Sequence, residues 1–175
     1  MLTIRNAEPA DIPAIASLYA EEVRERVATY EYDVPDEAEM TRRMREVVAA
    51  GYPYLAAELD GHFAGYAYAS AYRSRIGYRW TVENTVYIMP GAQRRGVGKA
   101  LMLELIEQCA ARGFRQMIAV IGEPGNGASV ALHQSLGFET VGIFRGLGRK
   151  HGRWLDTVQM QRALGPGDST APDNE

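Results

Sequence analysis

The sequence predicts an α/β domain in which a single mixed, mostly antiparallel sheet is flanked by helices. Runs rich in β-branched and aromatic residues alternate with stretches in which apolar residues recur at helical spacing. Two of the strand-like runs are separated by Asp60-Gly61, a dipeptide typical of tight hairpins. Another strand leads through a glycine-rich turn directly into a helix. The predicted element order is therefore β-α-α-β-β-β-α-β-α-β-β.

The first elements are a short strand and two helices. Residues 2–5 form the strand. Asp11 can cap a helix N-terminus and Pro13 suits the first turn, so the first helix is expected to begin there. The second helix is expected to begin at Asp36 and to stop at Gly51, since glycine tolerates the conformation that ends helices.

Three strands follow the second helix. Residues 54–59 and 62–70 are the two arms of the predicted hairpin. Residues 81–88 alternate in polarity and contain valine, threonine, isoleucine and tyrosine, so they are predicted to form a strand that ends at the following Pro-Gly pair.

The remaining elements alternate helix, strand and helix before two final strands. Apolar periodicity and closing glycines set their expected bounds, which are 97–112, 117–121, 128–136, 139–144 and 154–161. The last residues contain little that can be buried. The 175-residue chain is thus predicted to be one domain over 1–163 with a disordered tail over 164–175.

Composition excludes several classes of protein. The single cysteine, Cys109, cannot form an intrachain disulfide, and its helical spacing from apolar residues predicts a buried position. Three scattered histidines and one cysteine do not predict a metal site. A net charge of −3 gives no reason to expect nucleic-acid binding. No apolar run is long enough to span a bilayer and the chain does not start like a secretory signal, so we expect a soluble, cytoplasmic protein.

The glycine-rich turn before the third helix predicts an anion site. Gly96 and Gly98 allow a ligand to approach the backbone, and the first N–H groups of a helix have no partner within it. Together with the helix dipole these groups suit a phosphate or pyrophosphate, and Arg94, Arg95 and Lys99 add positive charge. A P-loop would need Ser or Thr after Lys99, and a dinucleotide fingerprint would need different glycine spacing. A structural turn without a ligand is the alternative.

Several segments together resemble the GNAT N-acetyltransferases. The resemblance covers almost the whole predicted domain in element order. Within this family, the sequence most resembles the phosphinothricin and methionine sulfone/sulfoximine acetyltransferase subgroup. The segments that carry it are QRRGVG at 93–98, TVENTVY at 81–87, NGAS at 126–129, LH at 132–133, LGF at 136–138 and KHGRWLD at 150–156.

This resemblance implies acetyl-CoA as cosubstrate, with no metal, and assigns residues to each part of it. The strand backbone at Val86, Tyr87 and Ile88 would pair with the pantetheine arm. Asn126 and Ser135 would contact the far part of the coenzyme. The pyrophosphate would be held by Arg94, Arg95, Gly96, Val97, Gly98 and Lys99.

Acetyl transfer to an amine requires the amine in its neutral form, so a base is expected. Glu83 is the first candidate, because it lies on the strand that would carry the pantetheine, and the subgroup has a glutamate base there. The alternative is a solvated edge-strand carboxylate. By the same resemblance His133 would be an auxiliary base; the alternative is a helix histidine that faces the sheet or solvent. The helix of His133 carries no tyrosine that could protonate the leaving thiolate.

A cluster of arginines predicts a small acidic substrate. Arg73, Arg75 and Arg79 precede the Glu83 strand, and guanidinium groups suit carboxylates and phosphinates. Solvated loop charges are the alternative explanation. The resemblance places the following residues in the substrate pocket: Tyr30, Arg73, Ser74, Arg75, Glu83, Asn84 and Thr85.

The predicted activity is therefore N-acetylation of a phosphinothricin- or methionine sulfoximine-like amine. The alternatives are acetylation of a protein N-terminus or lysine, and a catalytically silent acyl-CoA-binding module. The segment GRKHGRWLD near the chain end contains more charged and aromatic residues than a terminal strand needs. In the resembling subgroup it lies near a dimer interface, so a homodimer is expected.

Overall fold

The computed structural model describes residues 1–122 and 127–173, which form one sheet and its flanking helices. The helices are α1 (Ile12–Glu25), α2 (Glu37–Ala49), α3 (Val97–Ala111) and α4 (Gly127–Ser135). The strands are β1 (Leu2–Asn6), β2 (Tyr54–Leu59), β3 (His62–Ala71), β4 (Thr81–Ile88), β5 (Gln116–Gly122), β6 (Glu139–Lys150) and β7 (Arg153–Ala163). The predicted fold class and element order are confirmed.

The strands of the sheet follow the order β1-β2-β3-β4-β5-β7-β6. Every neighbouring pair is antiparallel except β4 and β5, which run parallel. Successive strand residues point to opposite faces, and Tyr66 and Ala67 accordingly belong to different hydrophobic clusters. One cluster packs under α1 and α2, and the other packs under α3 and includes the buried Cys109. None of the described helices is both long and apolar enough to cross a bilayer.

The two predicted helix caps differ in structure. Asp36 accepts a hydrogen bond from the backbone N–H of Glu39 at 2.8 Å, as a capping residue should. Asp11 makes no such bond into α1. Its carboxylate instead accepts bonds from the N–H of Glu8 and from both terminal nitrogens of Arg5, at 2.7–2.8 Å. Pro13, two residues after Asp11, has no N–H that Asp11 could cap.

The predicted hairpin between β2 and β3 is confirmed. Asp60 and Gly61 both have positive φ angles, 55° and 81°, the combination that two-residue hairpin turns require. The carboxylate of Asp60 also contacts the amino group of Met1 and, at 3.1 Å, Nη2 of Arg95. The turn thereby holds one arginine of the glycine-rich segment on the outside of the molecule.

The feature that shapes the candidate site is the separation of β4 from β5. Their pairing runs only from Thr81 opposite Gln116 to Glu83 opposite Ile118. Beyond Glu83, β4 continues to Ile88 while paired with β3, and β5 continues to Gly122 while paired with β7. The two strands diverge there, and a cleft opens in the middle of the sheet.

The C-terminal hairpin is longer than the sequence predicts. Strand β6 extends to Lys150 rather than ending at residue 144, because its pairing with β7 resumes after an irregularity between Phe144 and Gly148. The tight turn that follows contains His151 and Gly152, both with positive φ.

The segment predicted as a disordered tail begins inside the folded unit. Leu164 is 1% exposed and packs in the cluster under α3. The guanidinium of Arg115 donates to the carbonyls of Gly167 and Ala171 at 3.1 and 3.0 Å. Composition could not predict this packing, because one apolar side chain and one distant arginine provide it.

Candidate active site

The turn between β4 and α3 has the backbone geometry of an anion site. Gly96 lies in the left-handed region at φ 83°, and Arg94 lies there at φ 60°. The N–H of Ala100 donates to the carbonyl of Gly96 at 3.0 Å, which begins the helical ladder. Within the described residues no side chain caps this helix. The amides of the first turn of α3 are therefore directed outward, toward any anion bound there.

These amides face a groove of about 1170 Å³ that is lined by the part of β4 beyond its pairing with β5. Its lining combines β4, the glycine-rich turn and α4, through Val86, Tyr87, Ile88, Arg94, Gly96, Val97, Gly98, Lys99, Ser129 and Leu132. The structure thus brings together most of the residues that we predicted for the pantetheine and the pyrophosphate.

Two residues predicted for the coenzyme lie away from the lining of this groove, and a third cannot be placed. Arg95 is exposed and its Nη2 pairs with Asp60 at 3.1 Å. Ser135 is exposed and its hydroxyl donates to the carbonyl of Leu132 at 2.7 Å. Asn126 lies outside the described residues.

Glu83 lines a smaller cavity of about 240 Å³ that adjoins the groove. The two spaces share four lining residues, Ala28, Val86, Tyr87 and Ser129. Glu83 is half-buried, and this burial raises the pKa of its carboxyl above the ordinary value. The ion pairs formed among residues 1–122 and 127–173 do not include Glu83. A carboxylate with a raised pKa beside an open cleft is suited to accept a proton.

His133 and Asn84 form a buried polar pair between α4 and β4. His133 is 2% exposed, and burial lowers its pKa while the carbonyl of Ser129 opposes the shift. Its Nδ1 lies 2.8 Å from the Ser129 carbonyl oxygen, and its Nε2 lies 3.0 Å from Oδ1 of Asn84. Nδ2 of Asn84 donates to the carbonyl of Ile118 at 3.1 Å. Both residues line the Glu83 cavity, but their polar atoms are engaged inside the protein.

Within one chain, most of the residues predicted to bind the substrate line neither the groove nor the Glu83 cavity. Arg73, Ser74 and Arg75 are exposed in the connection between β3 and β4. Cζ of Arg73 lies 5.2 Å from the ring centre of Tyr72 and 5.7 Å from that of Tyr78, which orders the guanidinium. Arg79 stacks on Trp80 at 3.7 Å. Thr85 does line the Glu83 cavity.

Tyr30 also lies outside the lining, packed against the C-terminal hairpin. A Cβ atom on Gly148 would lie 2.2 Å from its ring, so the hairpin backbone approaches the ring where only glycine fits. Ala28 and Thr29, which precede Tyr30 in the chain, line the Glu83 cavity instead of Tyr30.

Three hydroxyl-bearing residues that no sequence pattern indicated, Tyr19, Thr29 and Tyr68, also line this cavity. The hydroxyls of Tyr19 and Thr29 lie 2.8 Å apart. The carbonyl of Thr29 accepts a bond at 2.7 Å from Nζ of Lys150, a lysine that is only 2% exposed. These positions carried no local signal, because Tyr19 fits the apolar face of a helix and Thr29 lies in an irregular segment.

Comparisons with known proteins agree with this geometry. Residues 4–159 match the family model of the acetyltransferase (GNAT) domain. The chain is 48% identical over 171 residues to a phosphinothricin N-acetyltransferase of Alcaligenes faecalis, covering 98% of this chain and 87% of that one. It is 38% identical over 165 residues to an L-methionine sulfoximine/L-methionine sulfone acetyltransferase of Pseudomonas aeruginosa, covering 94% and 95%. A GNAT superfamily phosphinothricin acetyltransferase from Sinorhizobium meliloti, solved in complex with AcCoA, superposes with a TM-score of 0.95 at 49% identity, covering 99% of this chain and 94% of the other.

Proposed function

The chain belongs to the GNAT family of N-acetyltransferases, and from this premise we propose that it acetylates a small acidic amino-acid analogue. The substrates that we propose are phosphinothricin, methionine sulfoximine and methionine sulfone, and the acetyl donor is acetyl-CoA. One observation carries the proposal: the separation of β4 from β5 begins at Glu83 and leads directly to the outward-facing amides of α3. A base and an anion site thus lie along one continuous cleft.

The described residues fit acetyl-CoA along this cleft. Beyond Glu83 the edge of β4 has no β5 partner, so its backbone can pair with the amides of an extended pantetheine arm. Gly98 lets a pyrophosphate approach the first turn of α3, where Arg94 and Lys99 add positive charge. Acetyl-CoA supplies the acetyl group as a thioester. Because acetyl-CoA is an intracellular metabolite, we place the activity in the cytoplasm.

In the chemical step, Glu83 takes a proton from the substrate ammonium, directly or through a water. The neutral amine then forms the new N–C bond at the thioester carbonyl and the C–S bond breaks. The second proton lost by the nitrogen passes to the leaving thiolate, which departs as the thiol. We assign the stabilisation of the developing oxyanion to backbone N–H groups of β4 beyond Glu83, where pairing with β5 has ended. Glu83 is better suited than His133 to act as base, because both ring nitrogens of His133 face oxygen acceptors.

We assign the acidic end of the substrate to arginines in the connection between β3 and β4. Hydroxyl, amide, imidazole and apolar side chains line the cavity of Glu83, and its described lining contains no lysine or arginine. Arg73 and Arg75 follow directly after β3, whose Ser70 pairs with Glu83. From there a guanidinium can bind a carboxylate or phosphinate whose amine reaches Glu83.

This assignment predicts a change in substrate binding rather than in chemistry. Wild-type enzyme should release thiol from acetyl-CoA with the three acidic amines and not with a basic peptide. Arg75→Ala should raise KM for the acidic amines about tenfold to a hundredfold, the effect of one lost charge-assisted bond. Arg75→Lys should recover only part of the loss. Steady-state assays of thiol release with each amine measure these changes.

KM for acetyl-CoA should stay unchanged in these variants. Arg112→Ala is the matched control, since Arg112 lies at the end of α3 opposite the groove. Activity with the peptide alone would instead support a protein acetyltransferase. No thiol release with any amine would indicate a silent acyl-CoA-binding module. Near-normal KM values in both Arg73→Ala and Arg75→Ala would refute the assignment of the acidic end to these arginines.

A second copy of the chain is proposed to cover strand β6, which forms one edge of the sheet. An edge strand offers unpaired backbone groups, and exposed apolar side chains on it favour association. The hairpin of β6 and β7 exposes a group of such side chains, namely Val141, Ile143, Phe144, Leu147 and Trp154.

Light scattering at micromolar concentration should give twice the chain mass of 19.3 kDa. Val141→Asp combined with Phe144→Asp should shift the mass toward that of one chain, because the charges would be buried in the interface. Leu103→Asp, at an exposed apolar position on α3, should leave it unchanged. A single-chain mass for the wild type would rule out the dimer.

A further inference from the structure

Where β4 separates from β5, a side-chain amide of β4 donates a hydrogen bond to a backbone carbonyl of β5. Ile118 is the last residue of β5 that pairs with β4. Its carbonyl accepts a hydrogen bond at 3.1 Å from Nδ2 of Asn84, the residue directly after the last paired residue of β4. A buried carbonyl without a partner would be costly. The Asn84 amide therefore allows the two strands to separate without leaving this carbonyl unpaired.

His133 holds the Asn84 amide in this orientation. Because Nδ2 of Asn84 donates to Ile118, its Oδ1 faces Nε2 of His133 at 3.0 Å. The other ring nitrogen lies against the Ser129 carbonyl, one turn earlier in α4. The ring also packs edge-on against Phe138, with centres 4.9 Å apart. A polar chain thus runs from β5 through β4 to α4 at the inner end of the cleft.

We propose that Asn84 and His133 are positioning residues that fix the separation of β4 and β5 and so the width of the acetyl-CoA cleft. His133 acts through Asn84 and does not accept the substrate proton. Its Nε2 contacts Oδ1 of Asn84 and its Nδ1 contacts the Ser129 carbonyl, so both ring nitrogens are engaged inside the protein rather than directed at a substrate amine. The inference rests on the proposed function in one respect, namely that acetyl-CoA occupies this cleft.

The test is calorimetric titration of the whole protein with acetyl-CoA in the absence of any amine. Asn84→Ala and His133→Leu should each weaken binding about tenfold or more, because each removes a hydrogen bond that fixes where β4 separates from β5. His133→Gln keeps a donor for Asn84 but cannot act as a base near neutral pH, so its affinity and kcat should stay within about threefold of wild type. Gln134→Leu, at the exposed neighbouring position on α4, is the control.

The double variant Asn84→Ala/His133→Leu should bind acetyl-CoA no more weakly than the weaker single variant, since the two residues act as a unit. Should His133→Leu not fold, Asn84→Ala and His133→Gln still give the comparison. An auxiliary base predicts the opposite pattern: His133→Gln would lose kcat as severely as His133→Leu while both bind acetyl-CoA normally. That pattern, or normal binding by Asn84→Ala, overturns the inference. Failure of wild-type protein to bind acetyl-CoA would instead count against the proposed function.

Discussion

Glu83→Gln is expected to lower kcat with phosphinothricin or methionine sulfone by about a hundredfold or more near neutral pH, the usual scale of general base catalysis. The amide keeps the shape of the side chain but cannot take the proton from the ammonium. Affinity for acetyl-CoA should barely change, because Glu83 lies in the adjoining cavity and not in the groove lining. Steady-state kinetics together with an acetyl-CoA titration separates the two effects.

The pH dependence gives this prediction a second readout. Burial raises the pKa of Glu83. As the medium is acidified, kcat/KM of the wild type should therefore begin to fall at a higher pH than it would with a glutamate of ordinary pKa. The residual rate of Glu83→Gln should instead rise with pH up to about 8 and beyond, as free α-amine becomes available. Glu107→Gln, on the exposed side of α3, is the matched control. Turnover of Glu83→Gln within about threefold of wild type at pH 7 would exclude Glu83 as the base.

Gly98→Val is expected to weaken acetyl-CoA binding about a hundredfold or more while the fold is retained. A Cβ atom at Gly98 would lie 3.3 Å from Cδ2 of Leu132 and 3.6 Å from Cγ1 of Ile88, contacts that small shifts can absorb. The two further methyl groups of valine would occupy the groove beside the first turn of α3. A phosphate kept away from these amides loses charge-assisted bonds worth about 1.5–3 kcal/mol each.

The choice of Gly98 separates binding from folding. Gly96 would be a poorer test, because its φ of 83° makes any side chain there strained. Gly91→Val provides the control, since a Cβ at Gly91 meets nothing within 4 Å and Gly91 does not line the groove. Calorimetry and thermal unfolding of both variants measure the two properties. A folded Gly98→Val protein that titrates like wild type would show that the pyrophosphate binds elsewhere.

Local patterns in the sequence predicted the elements well. Strands β2 and β4 have the predicted bounds, because turn residues and apolar alternation mark both ends. The glycine-rich turn was recognisable for the same reason, since its function needs particular residues at adjacent positions. The extension of β6 was missed, because the glycines between residues 145 and 149 interrupt the alternation that indicates a strand.

Contacts between distant residues could not be predicted in this way. Arg95 sits in the glycine-rich segment, and only the structure shows that Asp60 holds it outside the groove. Thr29 gave no signal, although it lines the Glu83 cavity. The arginines of the β3–β4 connection are recognisable by charge, but their distance from Glu83 depends on a loop path that no local pattern determines.

The position of β7 has a consequence for the order in which the enzyme can be assembled. Strand β7 follows the other described strands along the chain, yet it lies inside the sheet between β5 and β6. Lys150, at the start of the turn into β7, joins the carbonyl of Thr29 across 121 positions of the chain. A growing chain on the ribosome can therefore form the β2–β3 hairpin early, but the wall of the Glu83 cavity forms only once these long-range pairings are made. Catalytic competence therefore requires β7, and chains that stop before it carry the base without the complete pocket.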